Sequence, residues 1–168
     1  FGDLVVGAPA TSSSRGRVHL YLGASSFDTV PDGQLDGTAP GELVGASTAG
    51  AGQFNGGGGA EYLVGAPGLS GSDPLRGTVR VWSSVSVVLN APGTTANDRL
   101  GAVVAGEGAD VNGDGYADIV VGAPGNAAAG PDTGRVFLFY GGTSPDATAD
   151  LTLSGAAAGD QFGAAVGG

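Results

Sequence analysis

Short apolar runs separated by polar, glycine-rich loops follow one another along the whole chain. Three of these runs share one pattern, a β-branched stretch that ends in Gly-Ala-Pro: LVVGAP (residues 4–9), YLVGAP (62–67) and IVVGAP (119–124). Their glycines fall at nearly equal intervals, at positions 7, 65 and 122. A regular interval of this size is typical of a repeat protein, so we expect one structural unit to recur along the chain.

Three further kinds of short run complete each unit. One opens with glycine and follows Gly-Ala-Pro (GRVHLYLG, GTVRVWSS, GRVFLFYGG), one precedes it (LVGAST, RLGAVVAG, QFGAAVGG), and a weaker one ends the unit (GQLDG, VSVVLN, ADLTLSG). Such runs, bounded by Gly, Pro, Asp and Ser, predict strands, and no stretch shows the apolar spacing of a helix. Four short strands per unit predict an all-β fold, a β-propeller of four-stranded antiparallel blades.

The repeat divides the chain into about three blades within one propeller segment, residues 1–168. We expect a first blade over 1–40 that lacks its first strand, complete blades over 41–95 and 96–155, and the first strand of a further or completing blade over 156–168. Propellers have roughly four to eight blades, and three alone would leave apolar faces uncovered. We therefore expect an incomplete ring, or one completed by other chain segments or by further copies of the chain.

The loop DVNGDGYAD (residues 110–118) places possible oxygen ligands at alternate positions. Asp110, Asn112, Asp114 and Asp118 supply side-chain oxygens, and Tyr116 supplies its backbone carbonyl. Hard cations take six to eight oxygen ligands, so this spacing predicts a Ca²⁺ site. The alternative is a solvated hairpin turn, since Asn-Gly and Asp-Gly are common in such turns.

The equivalent loop of the preceding unit, QFNGGGGAE (residues 53–61), has lost most of these acids. Gln53, Asn55 and Gly57 replace an acid, an amide and an acid, and Glu61 stands at the last position. We expect this loop to bind metal weakly or not at all. In the first unit only Asp3, at that same last position, remains.

Composition narrows the range of partners. The chain has 16 acidic and six basic residues, a formal net charge of −10, and no cysteine. This charge repels nucleic acids and anionic membrane surfaces, and no apolar stretch is long enough to predict a membrane span. Lack of cysteine excludes a disulfide framework and thiol chemistry.

These motifs together resemble the FG-GAP repeat, the blade of the integrin α-subunit propeller and of its bacterial relatives. Gly-Ala-Pro occurs three times, and the Phe-Gly element is present at Phe162-Gly163 and altered at Leu100-Gly101 and Val44-Gly45. The resemblance implies calcium loops between the first and second strands of each blade, on one face of the ring, and ligand binding on the opposite face. It also implies a secreted or cell-surface protein, extracellular or periplasmic. The lack of cysteine favours a bacterial source.

We expect a calcium-stabilised module for protein binding or adhesion, without catalytic activity, whose protein or glycan ligand binds the face opposite the calcium loops. The polar loops there contain Arg15, Asp73, Arg76 and Asp132. Two alternatives remain open: a carbohydrate-binding, lectin-like propeller, and an accessory propeller domain of a larger secreted enzyme. His19, the only histidine, is interpreted as a packing or surface residue, because Arg80 and Phe137 stand at the equivalent positions.

Overall fold

The computed structural model describes residues 2–26, 28–68, 74–83 and 86–168. Short strands dominate this part of the chain. Their bounds are β1 Leu4–Gly7, β2 Arg17–Tyr21, β3 Gly33–Asp36, β4 Ser47–Gly52, β5 Glu61–Ala66, β6 Thr78–Ser83, β7 Val87–Pro92, β8 Val103–Ala105, β9 Ile119–Ala123, β10 Arg135–Phe139 and β11 Leu151–Ser154.

The strands form three antiparallel sheets in which sequence neighbours pair. Blade A has the order β1-β2-β3, blade B the order β4-β5-β6-β7, and blade C the order β8-β9-β10-β11. The inner strands β4 and β8 contact each other, β1 contacts β4, and β5 contacts β8. Meandering four-stranded sheets that meet along their first strands are propeller blades, so the predicted all-β propeller fold is confirmed.

β5 and β9, the strands that lead into the second and third Gly-Ala-Pro, are apolar and buried on both faces, whereas β1 is only partly buried. All six residues of β5 are buried, and so are four of the five in β9. One apolar cluster fills the A–B junction around Val18, Leu20 and Trp82. A larger one fills the B–C junction around Phe54 and Ile119. Burial of these side chains supplies the main stabilisation of the fold.

Glycine is required where two blades meet at the backbone. A Cβ on the glycine of each Gly-Ala-Pro would lie about 2 Å from a carbonyl oxygen of the next unit, far inside van der Waals contact. The pairs and distances are Gly7–Gly45 (1.9 Å), Gly65–Gly101 (2.0 Å) and Gly122–Gly163 (2.1 Å). The second glycine of each pair belongs to the Phe-Gly element. The Gly-Ala-Pro and Phe-Gly motifs of the repeat thus form the two sides of one interblade contact.

The polar loop that contains Arg15 has an unusual backbone conformation. Its three serines lie in a single turn, α1 (Thr11–Ser14), in which Ser12, Ser13 and Ser14 have φ of 54°, 62° and 59°. These values lie in the left-handed region, which non-glycine residues seldom occupy. The turn precedes β2 at the edge of blade A.

The segment predicted to begin a further blade makes little regular structure. Phe162 forms an isolated parallel bridge with Gly134 of blade C, and the residues after it belong to no described strand. A strand needs a neighbour to satisfy its backbone groups, and none of the described residues pairs with this segment as β5 pairs with β4.

Across the described ranges, no helix has the length and apolar character needed to cross a membrane.

Candidate metal-binding loop

The candidate metal-binding loop, residues 110–118, joins the first and second strands of blade C, between the end of β8 and the start of β9. Gly113 and Gly115 have φ of 77° and 88°, which glycine adopts without steric cost. The loop therefore curls back on itself between two strands of a rigid sheet. This is the position that the sequence predicted.

Asp110 lies at the centre of the curl. Its Oδ1 accepts hydrogen bonds from the backbone N–H groups of Gly113 (2.7 Å) and Asp114 (3.1 Å). Its Oδ2 accepts one from the N–H of Gly115 at 3.0 Å. Three backbone amides thus hold this carboxylate in place without the help of an ion.

Asn112 and Asp114 turn toward each other at the exposed tip. The amide of Asn112 donates to Oδ2 of Asp114 at 2.9 Å, and Oδ1 of Asn112 accepts from the N–H of Asp114 at 2.9 Å. Oδ1 of Asp114 accepts from the N–H of Tyr116 at 2.9 Å. These are Asx-type turns, in which a side chain replaces a backbone hydrogen-bond partner.

Asp118 anchors the loop to the sheet. Its side chain is fully buried at the start of β9. Oδ2 accepts from the N–H of Val111 at 2.7 Å, which closes the loop, and Oδ1 accepts from the N–H of Gly141 at 2.9 Å, just beyond β10. A buried carboxylate that accepts two backbone hydrogen bonds stabilises the blade whether or not an ion is bound.

The structure thus brings the five predicted ligand residues into one compact loop, with each carboxylate directed at backbone amides. Across the residues that are described, no three His, Cys, Asp or Glu side chains converge as a metal cluster. The donor set itself fits a hard cation, since carboxylate, amide and carbonyl oxygens are the ligands that Ca²⁺ prefers. The Ca²⁺ site remains a prediction.

The equivalent loop of blade B is closed by two neutral side chains and one carboxylate. The side chain of Gln53 accepts from the N–H of Gly58 (3.2 Å) and donates to the carbonyl of Gly59 (3.0 Å). Oδ1 of Asn55 accepts from the N–H of Gly57 at 2.6 Å, and buried Glu61 accepts from the N–H of Asn55 at 2.9 Å. Because the side chain of Gln53 can donate as well as accept, the hydrogen bonds that close this loop need one carboxylate instead of three.

In blade A, Asp3 takes the anchoring position of Asp118. Its Oδ1 accepts from the N–H of Gly23 at 2.7 Å, and its Oδ2 accepts from the hydroxyl of Tyr62 in blade B, also at 2.7 Å. These two bonds, the one from Gly23 first, hold the pKa of Asp3 below its usual value. The hydrogen bond between Asp3 and Tyr62 was not predicted from the sequence, because no sequence pattern relates two residues so far apart in the chain.

Two buried acids lie on the side away from the metal-binding loop, where one blade connects to the next. Glu42 pairs with Arg80 of β6 and accepts from the N–H groups of Thr38 (2.7 Å) and Ala39 (3.2 Å). Burial raises the pKa of Glu42, but the charge of Arg80 and these hydrogen bonds outweigh it, so the net shift is downward. The sequence signal was present, since an acid stands three residues before the Phe-Gly glycine in each unit.

Asp98, the equivalent acid of blade C, forms no ion pair with an arginine within the part of the chain that the structure describes. Its Oδ1 accepts from the amide of Asn126 at 2.8 Å, and its Oδ2 accepts from the N–H of Thr95 at 3.0 Å. Burial dominates here and raises the pKa of Asp98, although these hydrogen bonds and the charge of Arg135 act in the other direction.

The loops expected to bind a ligand hold their charged residues in different ways. Asp132 forms an ion pair with Arg99 at 3.1 Å, with both side chains partly exposed. Arg15 lies in a shallow depression beside the serine turn α1. Asp73 falls outside the described residues, so its predicted place in these loops stays a prediction.

Trp82 packs in the A–B junction, with its ring centroid 6.2 Å from that of Tyr62. His19 lies on β2 opposite Val6 and Gln34. Its ring is tilted against that of Tyr21, with the centroids 6.4 Å apart.

Fold and loop together define a propeller segment built from repeats that join through paired glycines. Residues 102–139 match the family model described as FG-GAP repeat, so the chain carries an FG-GAP repeat and the predicted resemblance is confirmed. The matched range runs from the end of the Phe-Gly element of blade C through the metal-binding loop to the end of β10.

The chain is also similar to phosphatidylinositol-glycan-specific phospholipase D of three mammals. It is 33% identical to the Bos taurus protein over 93% of its own length, and this region covers 21% of that relative. It is 34% identical to the Homo sapiens protein (85% of the chain, 19% of the relative) and 32% identical to that of Rattus norvegicus (90% and 20%). The chain spans about a fifth of the length of these relatives. Their mammalian source lends no support to the expected bacterial origin.

Proposed function

We propose that this chain is a non-catalytic FG-GAP propeller segment that accompanies a phospholipase D acting on phosphatidylinositol-glycan. The observation that carries the proposal is the extent of the similarity: nearly the whole chain aligns with about a fifth of an enzyme of that name. This favours the accessory role over free-standing adhesion or lectin activity, which we retain as alternatives.

The roles of the buried acids support a scaffold. Glu42, Asp98 and Asp118 each accept hydrogen bonds from backbone amides at blade junctions or loop ends. A catalytic acid or base must reach a substrate proton, and groups committed to backbone amides serve the fold instead. His19 has no carboxylate hydrogen-bond partner among the described residues.

We further propose that Ca²⁺ binds the loop of blade C. Asp110, Asn112, Asp114 and Asp118 would hold it through side-chain oxygens, and Tyr116 through its carbonyl. The ion would neutralise carboxylates that are crowded into one turn, and so stiffen the connection between β8 and β9. With an extracellular type of affinity, roughly 0.1–1 mM, and about millimolar Ca²⁺, the gain is on the order of 1 kcal/mol. We also propose an extracellular location, in which Ca²⁺ at about this concentration would fill such a site.

Activity assays on two proteins test the accessory role. One is the polypeptide that naturally contains this chain, and the other is the 168-residue chain alone. With a phosphatidylinositol-glycan-anchored protein as substrate, we expect release of the anchored protein by the polypeptide and none by the chain. Release by the chain would contradict a non-catalytic role, and failure of an otherwise folded polypeptide would contradict the phospholipase assignment.

A further inference from the structure

The loops that join the first and second strands of blades B and C lie side by side. β4 and β8, the strands that lead into them, contact each other. The blade B loop, residues 53–61, is glycine-rich and has Glu61 as its only acid, whereas the metal-binding loop of blade C carries the predicted Ca²⁺ ligands. Phe54 fixes the start of the blade B loop, because its side chain is fully buried in the B–C junction. This start is therefore a fixed surface beside the metal-binding loop.

Two backbone hydrogen bonds run from blade C to this fixed surface. Ala117 donates its N–H to the carbonyl of Gln53 at 3.3 Å. Gly142, after β10, donates its N–H to the carbonyl of Phe54 at 2.8 Å. The N–H of Ala117 and the carbonyl of Tyr116 belong to one trans peptide group, in which they point in opposite directions. The bond to Gln53 therefore directs the carbonyl of Tyr116, a predicted ligand, away from blade B.

The side chains of Tyr116 and Ala117 also pack against blade B. A Cβ at Gly56 would lie 2.6 Å from Cε1 of the Tyr116 ring, so the ring occupies space that only glycine leaves open. A Cβ at Gly52 would lie 2.8 Å from the methyl carbon of Ala117. The two side chains that flank the predicted carbonyl ligand thus both rest on glycines of the neighbouring blade.

We propose that the blade B loop positions the Ca²⁺ site of blade C, because it holds Tyr116 and Ala117 so that the carbonyl of Tyr116 is oriented before the ion binds. A ligand that is already oriented loses less conformational entropy on binding, and groups that orient metal ligands typically change affinity by about 10–100-fold. Such coupling is reciprocal, so a contact that favours ion binding is itself favoured by the bound ion. Ca²⁺ binding in blade C therefore orders the blade B loop and strengthens the B–C junction. This proposal rests on the Ca²⁺ site proposed above.

Hydrogen exchange, followed peptide by peptide, tests the positioning role in the polypeptide that naturally contains this chain. The Ca²⁺ concentration that gives half-maximal protection of residues 110–118 reports the affinity of that loop alone. We expect Gly56→Ala, which displaces the ring of Tyr116, to raise this midpoint about tenfold. The matched control is Gly58→Ala, because Gly58 has a similar φ (77°, against 69° for Gly56) but open space around it. The control should move the midpoint by less than about twofold.

The outcomes separate this proposal from the Ca²⁺ site on which it rests. Equal midpoints for Gly56→Ala and Gly58→Ala, with Ca²⁺-dependent protection intact, overturn the positioning role and leave the Ca²⁺ site standing. If Ca²⁺ does not protect residues 110–118 of the original protein at any concentration up to about 10 mM, above the weakest extracellular affinities, both are overturned.

A double-mutant cycle shows whether Gly56 acts through the ring of Tyr116. Tyr116→Ala removes the ring but keeps the backbone carbonyl. Since the methyl group of Gly56→Ala then has no ring to displace, it should not raise the midpoint further in the Tyr116→Ala background. An increase as large as in the original background would show that the methyl group acts on the blade B loop alone, and would overturn the proposal.

The reverse effect supplies a second measurement. Ca²⁺ should slow exchange in residues 53–59 with the same midpoint as in residues 110–118, and Asp114→Asn should shift both midpoints together. Protection of the blade B loop that survives Asp114→Asn unchanged would mean that this loop binds the ion itself. That result, or no protection of residues 53–59 while residues 110–118 are protected, overturns the proposal.

Discussion

The hydroxyl of Tyr62, on β5 of blade B, donates a hydrogen bond of 2.7 Å to the carboxylate of Asp3, which precedes β1 of blade A. The bond ties adjacent blades on the side where the first and second strands connect. Burial, followed by the carboxylate of Asp3, raises the pKa of Tyr62, so the phenol stays protonated as the donor. The same bond contributes to the lowered pKa of Asp3.

Removal of this hydroxyl should weaken the A–B junction. Tyr62→Phe keeps the ring against Trp82 but leaves Asp3 with only the N–H of Gly23, so we expect a loss of about 1 kcal/mol in the free energy of unfolding. Urea denaturation at pH 7 measures it. Tyr140→Phe is the matched control and should change stability by less than about 0.5 kcal/mol.

The pH dependence of this variant has a definite sign. The folded-state pKa of Asp3 lies below its unfolded value, so its contribution is present above the unfolded pKa and is lost as pH falls through the folded pKa. The deficit of Tyr62→Phe should therefore shrink as the solution is acidified below about pH 4. A deficit that stays constant from pH 7 to pH 2 would show that packing, and not the bond to Asp3, accounts for the loss.

The glycine contacts between blades give the sharpest stability prediction. Gly65→Ala would place a methyl group against the carbonyl of Gly101, a backbone atom that cannot move without shifting blade C. We expect destabilisation by about 3 kcal/mol or more. Gly59→Ala is the control, since that position has open space around it and no positive φ. Comparable losses in both variants, measured by thermal denaturation, would contradict the steric explanation.

The two buried acids at the blade connections should respond in opposite ways to loss of charge. Glu42→Gln leaves the guanidinium of Arg80 without its buried counter-charge, so we expect a loss of about 3 kcal/mol at pH 7. The lowered pKa of Glu42 means that its contribution disappears as pH falls. The variant and the original chain should therefore converge in acid, as followed by unfolding experiments across pH.

Asp98→Asn should be close to neutral, or stabilising, at pH 7. Burial raises the pKa of Asp98, so the favourable contribution of this group is present below its unfolded pKa and is lost as pH rises through the folded pKa. The asparagine variant has no charge to bury and should not show this decline. A loss for Asp98→Asn as large as that for Glu42→Gln would mean that both oxygens of Asp98 are needed as acceptors for Thr95 and Asn126, since the amide nitrogen of asparagine cannot accept.

The proposed Ca²⁺ site predicts a conditional effect of mutation. Asp114→Asn should lower the melting temperature in millimolar Ca²⁺ by roughly 2–4 °C, the shift expected for about 1 kcal/mol in a chain of this size. In excess chelator it should have little effect. The control is Asp146→Asn, because Asp146 is also exposed and accepts the N–H two residues further on. Equal shifts with and without Ca²⁺ would assign Asp114 to the turn alone.

The repeat made most of the fold predictable. Gly-Ala-Pro at equal intervals indicated the second strand of each blade, and the spacing of Asp110, Asp114 and Asp118 indicated one compact loop. The sequence did not reveal that each carboxylate of the loop accepts backbone amides, because Asp and Asn oxygens bond to amides and cations with similar geometry. Nor did it reveal Glu42–Arg80, since two residues 38 apart meet only when the sheet register is known.

The serine turn α1 was not predictable for a different reason. Three successive non-glycine residues with positive φ run against the local preference of each one. Contacts with the next blade offset that preference: the carbonyls of Ser13 and Ser14 accept hydrogen bonds from the N–H groups of Gly41 (3.2 Å) and Leu43 (2.9 Å). Tertiary contacts therefore override local propensity here.

The paired glycines have a consequence for how such proteins change in length. Because main-chain atoms form the contact at the paired glycines, this part of the junction does not depend on which side chains the two units carry. Insertion or deletion of a whole unit then needs matched side chains only in the apolar clusters and ion pairs between blades, and not at the glycine contact. Variation in the number of units is accordingly easier for this architecture than variation at the glycine contact itself.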